Sequence, residues 1–397
     1  MEKKSLIVNT GSDSHKYAVY EDGREIARVH LEKSDGGFLA GISVHDYKKQ
    51  MVLTTEQYSR PFEYLLSLLK SENIITDLAE IGFIGCRIVA PGEFFWTHRD
   101  IDDEYLSRLR EVRGQAPLHV TPILNEVEEI KKTLPIIRII GVSDSEFHKD
   151  MPEVARLYSL PKEDKETFDI YRYGYHGISV SSILHKVEGL PGGVPERVVI
   201  CHLGGGCSVT AVKKGKSVDT SMGFTPLEGL VMGSRIGNID PGAAAYLGQT
   251  KGMSYGELEN YFNTKCGLLG LSGKTKDVRD LIELEKNGDE GAKLALDSFA
   301  YGVRKYIGSY MAVLDGLDLL VFTATIGERS NIMRERICNV LDGLGIFLDE
   351  TKNSGTVSID GFINQENSSI KIAVVTTDEM GEIMRVVAGY IDSSISL

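Results

Sequence analysis

Short apolar runs broken by glycine turns open the chain. Residues 5–32, SLIVNTGSDSHKYAVYEDGREIARVHLE, read as an apolar strand, a polar Gly-Ser turn, a second strand, an Asp-Gly turn and a third strand. Residues 196–221, ERVVICHLGGGCSVTAVKKGKSVDTS, repeat that plan with a triple-glycine turn and a Lys-Gly turn. Asp-Gly and Lys-Gly between alternating runs are hairpin signals. Gly11 and Gly23 stand 12 residues apart, and Gly204 and Gly215 stand 11 apart. Two distant segments with one plan predict a duplicated domain. Each half continues into helical periodicity, at 55–72 and at 293–316. Hairpins mixed with helices predict α/β halves, each with a mixed sheet. The breaks fall near residues 145–152 and near 380. A last helical segment, 380–392, is expected to pack back on the first half.

Composition narrows the partners. The 397 residues suffice for two domains at roughly 100–200 residues each. A net charge of −13, from 57 acids against 44 bases, argues against a nucleic-acid or anionic-membrane surface. A small anion is still allowed, because a few arginines in a cleft suffice to bind one. The apolar run behind Lys3 and Lys4 breaks at Asn9, too early for a signal peptide, and no run reaches the ~18 residues of a membrane span. Cys86, Cys201, Cys207, Cys266 and Cys338 are scattered without a CxxC, which predicts free thiols and a cytoplasmic protein.

The candidate chemistry lies in turns and at strand ends. In HLGGGCS (202–208), glycine permits positive φ and lets backbone N–H groups approach an anion. In NTGSDSHK (9–16), Asn9, Ser12, Ser14 and Lys16 are able to bind phosphate oxygens or a hydrated metal. Neither is a P-loop or a dinucleotide fingerprint, and a plain hairpin is the simpler account of either alone. Arg87 ends IGFIGCR, and Arg235 sits among glycines in MGSRIGNIDPG; such arginines fork onto carboxylate or phosphate. His119, His176 and His202 lie in apolar, glycine-bounded contexts. Asp144 and Glu379 each follow an apolar strand-like run, where a carboxylate suits Mg²⁺ or, more blandly, caps a helix. These residues are consistent with phosphoryl transfer to an unspecified acceptor.

At this point the chain resembles acetate kinase, a family of the sugar kinase/Hsp70/actin superfamily. DTSMGFTPLEGLVMGSRIGNIDPG (219–242) is similar to the family's long loop almost residue for residue. CHLGGGCSV (201–209), APLH (116–119), FHKDMPE (147–153), RYGYHGIS (172–179), GLLGLSGKTKDVRD (267–280) and IGE (326–328) follow in the family's order. The resemblance implies duplicated actin-like (ribonuclease H-like) domains, each a mixed sheet flanked by helices, with a cleft between them. It places the N-terminal domain at 1–148 plus 382–397 and the nucleotide-side domain at 149–381. It implies a homodimer, with a small carboxylic acid and a nucleotide as ligands, ATP as co-substrate and Mg²⁺, or Mn²⁺ in its place, as cofactor.

Carried over by position, Asn9 and Glu379 would help hold the metal. Ser12, Ser14 and Lys16 would lie near the donor phosphates, with Gly204, Gly205 and Gly206 opposite. Arg87 and Arg235 would position the substrate carboxylate and steady the transferring group. His176 would hydrogen-bond its oxygens, with His119 and His202 in support, and Asp144 would orient the metal or the attacking carboxylate. Asp277, Val278, Arg279, Thr325, Gly327 and Arg329 would lie toward the nucleotide. Val89, Leu118, Tyr175 and Pro226 would line the pocket for the acid's alkyl end. Acetate is the first acid, with propionate and butyrate beside it.

Several positions depart from the family pattern. Asp13 replaces a serine, Ala90 and Pro91 follow Arg87 in place of histidine and glycine, and Tyr175 replaces phenylalanine. Gly205 replaces asparagine and Val180 replaces histidine. In TATIGERS (323–330), Ala324 and Thr325 replace two glycines, and Arg329 replaces an asparagine. Thr325 is expected to crowd adenosine and Arg329 to attract an anion, so another nucleotide or pyrophosphate stands as the alternative donor. These changes also leave room for a non-catalytic acyl-phosphate or nucleotide sensor; an actin-like filament subunit has only the fold in its favour.

Overall fold

The structure, a computed structural model, describes residues 3–11, 14–34, 36–190 and 192–395, with side chains to residue 392. Ser12 and Asp13 lie outside the described residues. The chain forms two compact units, one of residues 1–146 with 378–397 and one of 147–377.

In the first unit, β1 (Lys4–Thr10), β2 (Ser14–Glu21), β3 (Arg24–Ser34), β4 (Gly37–Val44), β5 (Tyr47–Leu53), β6 (Ile81–Ile88), β7 (Arg99–Asp100) and β8 (Arg138–Ser143) make one sheet. Their order is β5-β4-β3-β2-β1-β6-β8-β7. In the second unit, β9 (Arg197–Leu203), β10 (Cys207–Lys213), β11 (Lys216–Thr220), β12 (Leu319–Thr323), β13 (Gly361–Phe362) and β14 (Lys371–Val374) run in the order β11-β10-β9-β12-β14-β13. Five strands of each sheet correspond one to one: β3-β2-β1-β6-β8 with β11-β10-β9-β12-β14. In both sets the two hairpin pairings are antiparallel and the next two are parallel. The duplication read from the turns is therefore a duplication of topology, and the fold is mixed α/β of the duplicated actin-like kind.

The turns repeat in conformation as well. Asp22 and Gly23 take φ of 49° and 73°; Lys214 and Gly215 take 51° and 77°. Each pair links strands through two residues, Glu21 facing Arg24 and Lys213 facing Lys216. Positive φ at both central positions matches the strand twist, which is why these two-residue loops hold the register. The central strands are buried on both faces, which accounts for their continuous apolar runs. Leu6, Ile7 and Val8 in β1, and Val198, Val199 and Ile200 in β9, are all at 1% exposure or less.

The three helical segments expected from the sequence form four helices. The periodicity over 55–72 becomes two helices, Thr55–Ser59 and Pro61–Ser71, parted at Arg60 (φ −126°, ψ 66°). Pro61 has no N–H and pushes the residue before it out of helical angles, so the apolar period runs on while the backbone breaks. The segment at 293–316 is the helix Glu290–Leu314, begun by Asp289 accepting from the Ala292 N–H (2.8 Å) and ended at Asp315, φ 60°. The last helix, Glu379–Ile395, packs on β1, β6 and β8. Gly85 permits that contact: a methyl group built there would lie 2.7 Å from Val387 Cγ2.

Candidate active site

In the first unit, polar side chains gather at the C-terminal ends of three neighbouring parallel strands. Asn9 is near the end of β1, Arg87 near the end of β6, and Asp144 follows β8. In open α/β sheets ligands bind at such strand ends. Arg87 grips Asp144 with two parallel bonds, Nε to Oδ1 at 3.1 Å and Nη2 to Oδ2 at 2.8 Å. Asp144 is fully buried, and the fork sets it against a cation. Arg87 Nη1 also donates to Asn9 Oδ1 (3.3 Å), and Asn9 Nδ2 donates to Glu379 Oε2 (2.9 Å). Burial opposes the guanidinium's charge, but Asp144 and Glu379 outweigh it and hold Arg87 above its ordinary range.

Ser14 opens β2, its carbonyl accepting from the Gly11 N–H (2.8 Å), and the exposed Lys16 faces Asn9 across the β1–β2 ladder. His119 and Leu118 lie half-buried in the first turn of the helix Pro117–Thr133, and Val89 is half-buried just past β6.

The second unit repeats the arrangement with different groups. The Gly204–Gly206 turn links β9 to β10, closed by a Gly204 N–H to Gly206 carbonyl bond of 3.0 Å. None of the three glycines takes a positive φ. The conformational reason offered by the sequence therefore does not apply; at Gly206 the reason is clearance. A methyl group on Gly206 would lie 3.2 Å from His176 Nε2 and 3.5 Å from Arg235 Nη1. His176 Nε2, Arg235 Nη1 and the Gly206 backbone thus border one small space.

His176 and His202 come together as a stacked pair, with ring centroids 3.9 Å apart. His176 Nδ1 meets Ser208 Oγ at 2.9 Å, and His202 Nδ1 meets Ser179 Oγ at 2.8 Å. Ser179 Oγ in turn meets Thr377 Oγ1 at 3.0 Å. His119 belongs to the first unit and is not part of this pair. Arg235 Nη1 donates to the Pro226 carbonyl (3.2 Å), tying the arginine to the loop that carries the expected pocket residue Pro226. The buried Tyr175 finds the partner its hydroxyl needs in the Phe224 carbonyl (2.7 Å) of that same loop.

On the nucleotide side, Ala324 starts the helix Ala324–Arg329 with φ 63°, an angle that favours glycine. Glu328 Oε1 accepts from the Ala324 N–H and the Thr377 N–H, both at 2.9 Å. Arg334, fully buried, donates to the carbonyls of Gly327 (2.8 Å), Glu328 (3.1 Å), Asn353 (2.8 Å) and Thr356 (2.7 Å). Burial pulls its pKa down to about 10, so it stays a cation at neutral pH and fastens the helix's carboxyl end. Gly327 is buried, with a methyl group there 3.3 Å from the Phe322 backbone, while Thr325 and Arg329 are exposed. Asp277 caps the helix Val278–Lys286 and holds the exposed Arg279 (Nη2 to Oδ2, 2.6 Å); Val278 is buried under that helix.

Ser179, Ser208, Thr377 and Glu328, which orient the expected site residues, are not among the residues the sequence predicts. Ser179 closes RYGYHGIS and Ser208 closes GGGCS, so both lay inside noticed motifs. Thr377 had no local signal, because its partners are 198 and 49 residues away.

Two sheets of one topology, each with polar side chains gathered at strand ends and turns, are the architecture of an actin-like phosphotransferase. Comparison with known proteins narrows this. The acetokinase family model matches residues 4–385. An acetate kinase of Bacillus cereus is 40% identical over 385 residues, covering 95% of this chain and 96% of that protein. The crystal structure of an acetate kinase from Porphyromonas gingivalis superposes with a TM-score of 0.85 at 33% identity, over 98% of this chain and 100% of that one. That of a propionate kinase from Francisella tularensis subsp. tularensis gives 0.88 at 34% identity, over 96% and 98%. The chain belongs to the acetokinase family, phosphotransferases with a carboxyl group as acceptor. Among the described residues no helix is long and apolar enough to cross a membrane.

Proposed function

We propose that the chain transfers the γ-phosphoryl group of ATP to acetate, giving acetyl phosphate and ADP, reversibly, in the cytoplasm and as a homodimer. The observation that carries this reading is the Arg87–Asp144 fork beside the Asn9–Glu379 pair. A carboxylate is already a nucleophile at neutral pH, so the reaction needs positioning and charge neutralisation more than a base. One acetate oxygen attacks the γ-phosphorus as the bond to the β-phosphate oxygen breaks, and ADP takes the electron pair. Asp144 orients Arg87, leaving the guanidinium's Nη1 edge toward Asn9 and the incoming anions. His176 Nε2, Arg235 and the backbone of the 204–206 turn supply donors for the equatorial oxygens. On the family resemblance, Val89, Leu118, Tyr175 and Pro226 serve the acid's methyl group. Ser12, Ser14 and Lys16 serve the donor phosphates, and Asp277, Arg279 and the 324–329 helix serve the nucleoside.

Asn9 and Glu379 suit Mg²⁺ in donor chemistry: their side chains touch through Nδ2 and Oε2 (2.9 Å), and the amide oxygen and the carboxylate are the hard donors that would hold the ion beside water and phosphate oxygens. When bound there, the ion would neutralise charge on the β- and γ-phosphates. Propionate is the second reading, favoured by the likeness to the Francisella propionate kinase. One methylene in an apolar pocket changes discrimination by only about 1–3 kcal/mol.

A hydroxamate trap for acyl phosphate tests the proposal, with Mg²⁺ and each of ATP, GTP and pyrophosphate against acetate, propionate and butyrate. Product with ATP and acetate is expected. Product only with another donor would make Thr325 and Arg329 a donor switch. No product from folded protein across the whole grid would overturn the kinase reading in favour of a sensor.

A further inference from the structure

Asp144 stands on a turn whose backbone is held from two sides. Its own N–H donates to the Ile88 carbonyl on β6 (2.9 Å). On the opposite side the β7–β8 ladder ends early, with Arg99 facing Gly141 as its last pair. The next β8 donor facing that way is the N–H of Ser143. No strand residue takes it; the ring of His98 does, with Nδ1 accepting at 3.1 Å. A backbone amide can only donate, so Nδ1 is bare and Nε2 carries the proton. That proton faces Glu146 Oε2, 2.5 Å away, and the same carboxylate oxygen accepts the N–H of His98 (3.1 Å). The imidazole therefore spans residues 143–146 like a staple, with Asp144 between its two ends. His98 and Glu146 are 48 residues apart, and neither belongs to the site described above.

We infer that His98, oriented by Glu146, is a positioning residue for Asp144. By fixing the Ser143–Glu146 turn it holds the buried carboxylate in register with Arg87, and so fixes the angle of the guanidinium that receives the acid. The inference deepens the acid-kinase reading and rests on it for its kinetic consequence. Its structural half stands independently of activity.

Three variants separate the alternatives: His98→Ala removes the staple, His98→Asn keeps an acceptor near the Nδ1 position, and Glu146→Ala frees the far end. Amide hydrogen exchange at Ser143 and Asp144 is read first, on the full chain. Exchange at both should rise at least about tenfold in His98→Ala and stay near the parent in His98→Asn. Unchanged exchange in His98→Ala overturns the inference whether or not the protein is active. In the acyl phosphate assay, His98→Ala should lower kcat about tenfold and raise KM for the acid, with KM for the nucleotide unmoved. His98→Asn should recover most of the loss, and Glu146→Ala should fall between them. Equal losses in His98→Ala and His98→Asn, or parallel shifts in both KM values, would reduce His98 to a general stabiliser and sink the inference. A parent protein silent with every acid would overturn the kinase reading instead, leaving the exchange result to decide the staple.

Discussion

His176 and Ala324 both hold left-handed backbone angles, φ 62° and 63°, and they flank the same turn. His176 Nε2 approaches Gly206, and the methyl of Ala324 lies 3.5 Å from where a methyl on Gly204 would sit. Non-glycine residues in this region cost about 1–2 kcal/mol each and persist where the surroundings over-determine them. For His176 the compensation is visible: its ring is stacked on His202 and bonded to Ser208. Ala324 has no comparable side-chain gain, since its methyl group only fills space. Ala324→Gly should therefore stabilise the protein by about 0.5–1 kcal/mol, read as a higher midpoint in urea denaturation. It should also widen the approach to the phosphate turn and lower KM for the nucleotide. An unchanged or lower midpoint would show that the angle carries no strain. The departure from the family pattern at 324 was legible in the sequence. The angle that makes it matter was not, because φ depends on how β12 meets the following helix.

The turn between β9 and β10 shows how an element works through absent atoms. Gly205 points a would-be side chain into open space, whereas Gly206 faces His176 and Arg235. Gly206→Ala should thus lower kcat/KM by about tenfold or more with little change in stability, while Gly205→Ala should be nearly silent. Steady-state kinetics on the two variants checks this, and equal effects would refute the clearance argument. The sequence displayed three glycines as a unit; it could not rank them, because their environment comes from a histidine 30 residues earlier and an arginine 29 residues later. The helix split at Arg60 has the opposite origin. Pro61 was in plain view, and a strictly local rule outweighed the apolar periodicity.

At the scale of the molecule, the first unit is discontinuous: its last helix arrives after the whole second unit has been traversed. That helix brings Glu379 to Asn9, 370 residues away, and seats the fully buried Val387 against Gly85 of β6. Val387→Asp would bury an unpaired charge at that contact and should cost at least about 3 kcal/mol. Denaturant titration followed by circular dichroism checks the loss. A change under about 1 kcal/mol would mean that the helix is not integral to the first unit.

Some of this followed from sequence alone, because it depends on neighbours in the chain. Alternating apolar runs and Asp-Gly or Lys-Gly pairs determine hairpins, and their recurrence at two places determined the duplication. The strand-end motifs marked Asn9, Arg87, Asp144, His176, His202, Arg235 and Glu379 as candidates. Tertiary structure decided which of them touch. It alone paired Arg87 with Asp144, Asn9 with Glu379 and His176 with His202, and it alone recruited Ser179, Thr377, Glu328 and His98. Hydrogen bonds between residues tens to hundreds of positions apart leave no local periodicity to read; they exist only once parallel strands have brought their ends side by side.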